Sequence, residues 1–374
     1  MTANGGKRRV LGYDALRVVA MCAVVGIHAC MTARGFAGGG TGTDSGAGGS
    51  AVAALDSALH FTVPLLVFLS GILVWGRPFA RERGAYVRFM RRRLTRVGLP
   101  YLAWFVLYAV AALLLPAART GWLQDVPRDA AHIGELLLRL LSGRVWYHLY
   151  FVPMLLTLYA MAPVVDRMLR WRRWCPELLV VVTLVIKVGL FPAVNPWMQT
   201  QLQSDVYAWL VHLLVHLPHM MLGAWVAIRW GELITRTVNR LSDGDGSPDR
   251  PDSAATDTAG DTAAAALFLL QPKRWLATLK YPVLLLFMIA VAVALEPVWR
   301  RIERPLTRLS ALSFGVYFVH PLLLVAAQAL LPAHARVWAG LLPVLGLWAV
   351  LLVVSFVLSA GLARFRATRW LIGE

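Results

Sequence analysis

The first hydrophobic segment of the chain carries two ionisable side chains. The apolar stretch that begins at Leu11 contains Arg17 and His28, eleven positions apart. Ionisable groups at membrane depth are energetically costly, so they mark functional sites by default. On an α-helix this separation returns to within about 20° of the same face, with a rise of about 16 Å. One helix face therefore presents a guanidinium near one end and, deep inside, an imidazole suited to act as a general base.

A structural interpretation of both residues stays open. Arg17 lies near the start of the segment, where its side chain could reach the membrane surface. His28 could be a buried core histidine with its hydrogen bonds satisfied. However, His28 lies some 22 Å from the start of the segment, which places a titratable ring well inside the apolar region.

A second group of chemical interest is the run Arg91-Arg92-Arg93-Leu94-Thr95-Arg96. Arg93 and Arg96 are spaced to share one helix face at the membrane surface. Paired guanidinium groups are suited to bind phosphate, so a phosphorylated cytosolic ligand is their natural partner. The alternative is that the run only marks the cytoplasmic side of the membrane.

Other polar residues interrupt the apolar segments. Ser70-Gly71 is typical of close helix packing, with a nucleophilic serine as the weaker alternative. His212, His216 and His219 share one helix face, and we predict that they line a polar cavity. No carboxylate or cysteine nearby completes a metal site, so we predict no bound metal. His60 and His148, within or at the ends of segments, are further candidates for contacts to an acceptor.

The composition indicates how these residues are held. The chain has 374 residues, of which 58% are hydrophobic, and several runs are long enough to cross a bilayer. We predict a single all-α domain over residues 1–374, a polytopic transmembrane helical bundle with the lipid bilayer as its surroundings. The net charge of +17 sits in short basic clusters between apolar segments, which argues against nucleic acid as a partner.

Nine membrane segments are predicted at residues 13–31, 55–75, 97–117, 145–165, 178–193, 207–228, 281–299, 309–331 and 336–362. Residues 33–54 are predicted as a flexible outer loop, 134–142 as a short interfacial helix, and 195–204 as an uncharged loop. The basic clusters place the N-terminus in the cytoplasm.

The segment count stays open between nine and ten. Residues 241–262 are rich in Asp, Gly, Ser, Pro and Thr, which predicts a disordered cytoplasmic linker. Basic residues flank segment 281–299 on both sides. A single crossing would place one of these basic clusters outside the cytoplasm, although basic residues favour the cytoplasmic side of a membrane. The short apolar run 263–270 would supply a tenth, irregular crossing, and we favour ten segments.

Four stretches in order resemble the acyltransferase-3 family of bacterial integral-membrane acyltransferases. The first holds Asp14 and Arg17 with His28. The second runs from Val63-Pro64 through Ser70-Gly71 to the arginines at 92, 93 and 96. The third and fourth are Trp146-Tyr147-His148-Leu149-Tyr150 and Leu312-Ser313-Phe314-Gly315-Val316-Tyr317-Phe318-Val319-His320-Pro321.

The resemblance implies an O-acyltransferase in the bacterial cytoplasmic membrane. It would move an acyl group, acetyl by expectation, from acyl-CoA to a hydroxyl of a surface polysaccharide or glycosylated metabolite. The donor would be a co-substrate, with no tightly bound cofactor. His28 and Arg17 are the expected catalytic residues, and Arg92, Arg93 and Arg96 the expected CoA-binding residues. Acceptor contacts are expected from Asp14, Ser70, Trp146, His148, Tyr317 and His320.

A transporter or flippase for a glycan or lipid-linked sugar is the alternative function. Charged groups inside the membrane and a polar cavity suit it equally well. That function predicts internal repeats with broken helices in corresponding halves. We find no clear repeat in the sequence, which favours the acyltransferase.

Overall fold

The computed structural model describes residues 9–36, 47–76, 84–114, 133–243, 272–330 and 340–374. Every regular element within these ranges is helical, which confirms the predicted all-α class. The first half contains α1 (Leu11–Phe36), α2 (Ala47–Leu59), α3 (Thr62–Trp75), α4 (Ala85–Arg93), a π-helical turn (Leu94–Gly98), α5 (Leu99–Leu114), α6 (Ile133–Ser142), α7 (Phe151–Ala160) and α8 (Ala162–Leu169).

The second half begins with α9 (Cys175–Val185), which continues through a second π-helical turn (Ile186–Leu190) into α10 (Phe191–Gln201). It then contains α11 (Ser204–Arg229), α12 (Gly231–Asp243), α13 (Pro272–Ala294), α14 (Glu296–Arg301), α15 (Glu303–Leu330), α16 (Leu341–Arg364) and a 3₁₀ turn (Arg369–Ile372).

Seven helical stretches in the described ranges are long and apolar enough to cross a membrane, which fits a multi-pass membrane protein. They are Leu11–Ala33, Gly49–Trp75, Ala85–Ala111, Cys175–Gln201, Ser204–Arg229, Glu303–Ala327 and Leu341–Arg364. The pair α7 and α8 gives an eighth if it forms one span, bent by 52°. The predicted nine or ten segments are therefore not confirmed.

The seventh predicted segment accounts for part of the difference in number. Its apolar stretch, Leu279–Ala294, is shorter than the other spans, and α14 begins separately at Glu296. The short run 263–270 lies outside the described residues, as does 244–262 of the predicted linker. Residues 241–243, predicted as the start of that linker, form the last turn of α12.

Two loop predictions are wrong because polar or small residues continue helices. Residues 195–201, predicted as loop, belong to α10, where the Asn195 side chain accepts a hydrogen bond from the Tyr207 hydroxyl at 2.9 Å. The predicted loop 33–54 is helical at 33–36 and 47–54, since Val52 packs in the core. Residues 37–46 lie outside the described part. The predicted interfacial helix 134–142 corresponds to α6.

Glycines bring α3 and α11 into direct backbone contact. A Cβ atom on Gly71 would overlap the carbonyl oxygen of Met220, and one on Gly223 would overlap that of Phe68. Small residues let membrane helices approach closely, as predicted for the Ser70-Gly71 pair. This contact fixes the position of the long helix that carries three histidines.

A buried carboxylate holds the start of α1. The fully buried Glu296 accepts hydrogen bonds from the backbone N–H groups of Leu11 and Gly12 at 3.1 and 3.0 Å. Its charge is balanced by Arg300, whose Nη2 lies 2.8 Å from Oε1. The first N–H groups of a helix lack partners within the helix and favour negative charge. Glu296 thus anchors α1, which packs against α15 and α16.

Candidate active site

A cavity of about 350 Å³ opens inside the bundle beside His28. Its wall is built by α1, the start of α3, the turns before α7, the second π-helical turn, α11, α13 and α15. The histidines on this wall are His28, His60, His148, His212, His216 and His219. The remaining polar or ionisable side chains on it are Thr62, Tyr147, Tyr150, Lys187, Tyr281 and Tyr317. A neutral imidazole offers one donor and one acceptor, so this wall suits a ligand rich in hydroxyl groups.

The ring of His28 forms a hydrogen-bonded chain with a histidine on α15. Its Nδ1 lies 2.7 Å from Nε2 of His320, and Nδ1 of His320 lies 2.8 Å from the carbonyl oxygen of Val316. A carbonyl only accepts, so Nδ1 of His320 must carry a proton. In the neutral pair, Nε2 of His320 then accepts the proton of His28 Nδ1. This assignment leaves the lone pair of His28 Nε2 free on the residue that lines the cavity.

Aromatic rings enclose this histidine pair. Tyr147 meets the His28 ring edge-on at 4.7 Å between centroids, while the nearly parallel His28 and His320 rings meet edge to edge across their hydrogen bond, 5.0 Å apart between centroids. The ring of His148 lies 5.7 Å from that of His320. The Tyr317 hydroxyl donates to the His148 carbonyl oxygen at 2.6 Å and so ties α15 to the turns before α7.

His148 keeps unused hydrogen-bonding capacity inside the protein. It is 3% exposed, and neither ring nitrogen has a hydrogen-bond partner within the described residues. The same holds for the indole N–H of Trp146, one of the residues that line a neighbouring cavity. Buried polar atoms without partners are costly, so both side chains are suited to contact a polar ligand.

The second cavity, of about 430 Å³, shares Tyr147, Tyr150 and His212 with the first. It extends toward Gln199 and Ser204, at the end of the bundle where α11 begins. The rings of Tyr150 and His212 stack at 3.8 Å between the two cavities. The second cavity therefore adjoins the first and lies between it and this end of the bundle.

Arg17 lies away from His28, in a polar network near the start of α1. Its Nη1 donates to Ser310 Oγ at 3.0 Å, and Ser310 donates to Asp14 Oδ1 at 2.7 Å. Asp14 also accepts two hydrogen bonds from Arg9, at 2.7 and 2.8 Å, which raise the pKa of the Arg9 guanidinium. Neither Asp14 nor Arg17 belongs to the cavity wall. Their geometry joins α1 to α15 and places neither side chain at the predicted reaction centre.

Arg93 lies at the same arginine-rich end of the bundle, which we define by Arg9, Arg93 and Arg229. Its guanidinium carbon is 4.9 Å from the ring centroid of Tyr159 and 5.2 Å from that of Phe89. Arg92 and Arg96 are exposed, and the first π-helical turn begins between Arg93 and Arg96. All three arginines are therefore accessible at this end.

Ser70 lies on α3 between the arginine-rich end and the cavity. Its hydroxyl lies 2.8 Å from the carbonyl oxygen of Leu66 and accepts from the Tyr159 hydroxyl at 3.4 Å. Leu66, one helical turn away, lines the cavity. Ser70 itself does not, and donation to a backbone carbonyl is the hydrogen bond of a structural serine.

Three observations concern groups that could hold a ligand or metal. Within the described residues, no cluster of three or more His, Cys, Asp or Glu side chains has the geometry to hold a metal ion. His212, His216 and His219 all lie on the cavity wall, as predicted for a polar lining. Lys187, which the sequence interpretation missed, lies there too. The sequence feature that could have identified Lys187 is that residues 178–204 contain no other charged side chain.

A family model for an acyltransferase domain matches residues 10–242 of the chain. The match spans α1 to α12 and includes His28, Arg93, Arg96 and Lys187. His320 lies beyond the matched residues. No curated protein and no solved structure matches the chain.

Proposed function

Because the chain belongs to the acyltransferase-3 family, we propose that it moves an acetyl group from acetyl-CoA to a hydroxyl of a sugar-containing acceptor. The observation that carries this proposal is the chain from His28 to His320 and the Val316 carbonyl. It leaves an unprotonated Nε2 on a residue that lines the cavity, which is what a general base for an alcohol requires.

The reaction follows from that tautomer. Nε2 of His28 takes the proton of the acceptor hydroxyl while the hydroxyl oxygen attacks the thioester carbonyl carbon. The tetrahedral intermediate collapses as its C–S bond breaks. The CoA thiolate leaves and takes up the proton from His28, which gives the acetyl ester, free CoA thiol and the starting form of the base. His320 acts through His28 as a positioning residue, because it holds the ring in the required tautomer.

The donor binds at the arginine-rich end in this proposal. CoA carries several phosphate groups, and Arg92, Arg93 and Arg96 supply accessible guanidinium groups there. The pantetheine arm then extends from this end into the bundle and brings the thioester into the cavity. Acetyl-CoA is a co-substrate, which binds and leaves in each turnover.

The acceptor reaches His28 from the opposite end, through the second cavity. Trp146 and His148 offer it unpartnered polar atoms, and Tyr317 closes the wall beside them. The arginine-rich end, with the N-terminus, faces the cytoplasm of a bacterial plasma membrane in this orientation, in keeping with the excess of basic residues. Donor and acceptor thus meet at His28 from opposite sides of the membrane.

The experiment that tests this function is acetyl transfer by the purified full-length protein in detergent. Radiolabelled acetyl-CoA is incubated with hexose glycosides and glycosylated macrolides, and labelled products are separated by chromatography. We expect a labelled ester that base hydrolyses. Reconstituted protein that moves a glycan across vesicles without ester formation would support the transporter instead.

A further inference from the structure

Lys187 is an isolated charge on the cavity wall. It is the one charged residue between Glu177 and Asp205, in a stretch that otherwise crosses the membrane as apolar helix. It lies in the second π-helical turn, Ile186–Leu190, and π-helical turns inside α-helices occur frequently at functional sites. An ionisable group at this depth requires a partner.

The described part of the protein offers Lys187 no counter-ion. The residues that line the cavity include no aspartate or glutamate, and no charged group of opposite sign acts on its ammonium. His216 and His219 line the same cavity and feel the charge of Lys187, and an imidazole is neutral or positive. Both rings are buried, and the Nδ1 atom of each has no hydrogen-bond partner within the described residues. A partly buried ammonium among neutral donors is the arrangement that binds an anion.

We infer that Lys187, with His216 and His219, binds a carboxylate of the acceptor, so that the acceptor is an acidic sugar or an acidic glycoside. The inference rests on the proposed function, because it names the acceptor class for the same cavity. A carboxylate suits the site better than a phosphate, since one ammonium balances one negative charge. Among the described residues, no arginine lies on this wall to form the bidentate pairs that phosphate favours, and Arg144 on the wall of the second cavity is paired with Asp205 at 3.4 Å.

The test compares two probes that differ in one group. The C6 carbon is a carboxylate in p-nitrophenyl β-D-glucuronide and a hydroxymethyl group in p-nitrophenyl β-D-glucoside. Binding of each to the full-length protein in detergent is measured by calorimetry, and acetyl transfer to each is measured with labelled acetyl-CoA. We expect the wild-type protein to bind the glucuronide at least about tenfold more tightly, and the Lys187→Met variant to bind both equally.

Two further variants separate charge from folding. Lys187→Arg keeps the positive charge and should retain most of the preference for the glucuronide. Lys280→Met removes a lysine that lies over the ring of Tyr281, 5.6 Å from its centroid, and is not part of the wall; it should leave the preference unchanged. Melting temperatures of all variants check that each is folded.

The wild-type comparison is decisive even if a variant fails to fold. Equal binding of the two probes, or binding of neither, would overturn the inference. An equal loss of both probes in Lys187→Met would also overturn it, because Lys187 would then act on something other than the carboxylate. Selective glucuronide binding without acetyl transfer to any acceptor would count against the acyltransferase proposal and leave the carboxylate site standing.

Discussion

Nδ1 of His28 lies 2.7 Å from Nε2 of His320, and the two rings are within 5° of parallel. The two residues are 292 positions apart, on α1 and α15. Since the Nδ1–H group of His320 donates to a backbone carbonyl, its Nε2 can only accept from His28 while both rings are neutral. The pair therefore fixes which nitrogen of His28 is available for chemistry.

Replacement of the base should remove most of the activity. We expect His28→Ala to lower kcat for acetyl transfer by about 10²- to 10⁴-fold, the usual contribution of a general base. Membrane insertion should stay close to wild type, and the melting temperature should fall modestly, because Nε2 of the buried His320 loses its hydrogen-bond partner. Labelled acetyl transfer and a thermal melt in detergent measure the two effects. Full activity in this variant would exclude His28 as the base.

Loss of the positioning partner should act through the tautomer. We expect His320→Ala to lower kcat by roughly ten- to a hundredfold at unchanged KM, because His28 then populates both neutral tautomers. In His320→Gln the side-chain carbonyl can accept from His28 Nδ1 and should restore part of the rate. A pH–rate profile checks the mechanism, since the apparent pKa should change in His320→Ala. Equal rates for Gln and Ala variants would contradict this role.

The arginine pair should matter for the donor. We expect Arg93→Ala with Arg96→Ala to weaken CoA binding by about ten- to a hundredfold, because charge-assisted hydrogen bonds to phosphate are lost. Calorimetry with CoA in detergent measures this, while acceptor binding should change little. Arg236→Ala is the matched control, since its side chain is 72% exposed on α12 and its one described ion pair is with Glu232 at 3.6 Å. A similar loss in that control would point to net charge alone.

Ser310 should contribute to stability, because it links Arg17 and Asp14. Ser310→Ala removes both an acceptor for the guanidinium and a donor to the carboxylate, in a buried position. We expect it to destabilise the protein by about 1–3 kcal/mol and to lower the melting temperature. The rate at low temperature should stay near wild type. A large fall in kcat without a change in melting temperature would instead return Arg17 to the reaction centre.

The glycine contact between α3 and α11 should tolerate no side chain. We expect Gly223→Val to abolish correct folding, since its Cβ would overlap the Phe68 carbonyl and backbone gives way poorly. Gly361→Ala on α16 is the control, because a Cβ there meets no atom within 4 Å. Size-exclusion chromatography in detergent reports both. Monodisperse, active Gly223→Val protein would show that the helices need not approach so closely.

Local sequence patterns were sufficient for the helical membrane class, for His28 as an ionisable group inside a span, and for the histidine face of α11. Each of these depends on residues within one contiguous segment, where hydrophobicity and helical periodicity act directly. The boundaries were less accurate. Glycine, serine and uncharged polar residues suggested loops at 33–54 and 195–204, but packing and a side-chain hydrogen bond extend the helices into both.

Packing of distant helices decided the rest. The sequence places Arg17 and His28 on one helix face, yet Ser310 and Asp14 hold Arg17 near the start of α1, while His320 and Tyr147 surround His28. The sequence around Lys187 contains no motif and shows only that the lysine is the one charge in an apolar segment. Its proposed role depends on the side chains that other helices bring to the same cavity. The free energy of these contacts depends on pairs of residues far apart along the chain, which no periodicity within a single segment encodes.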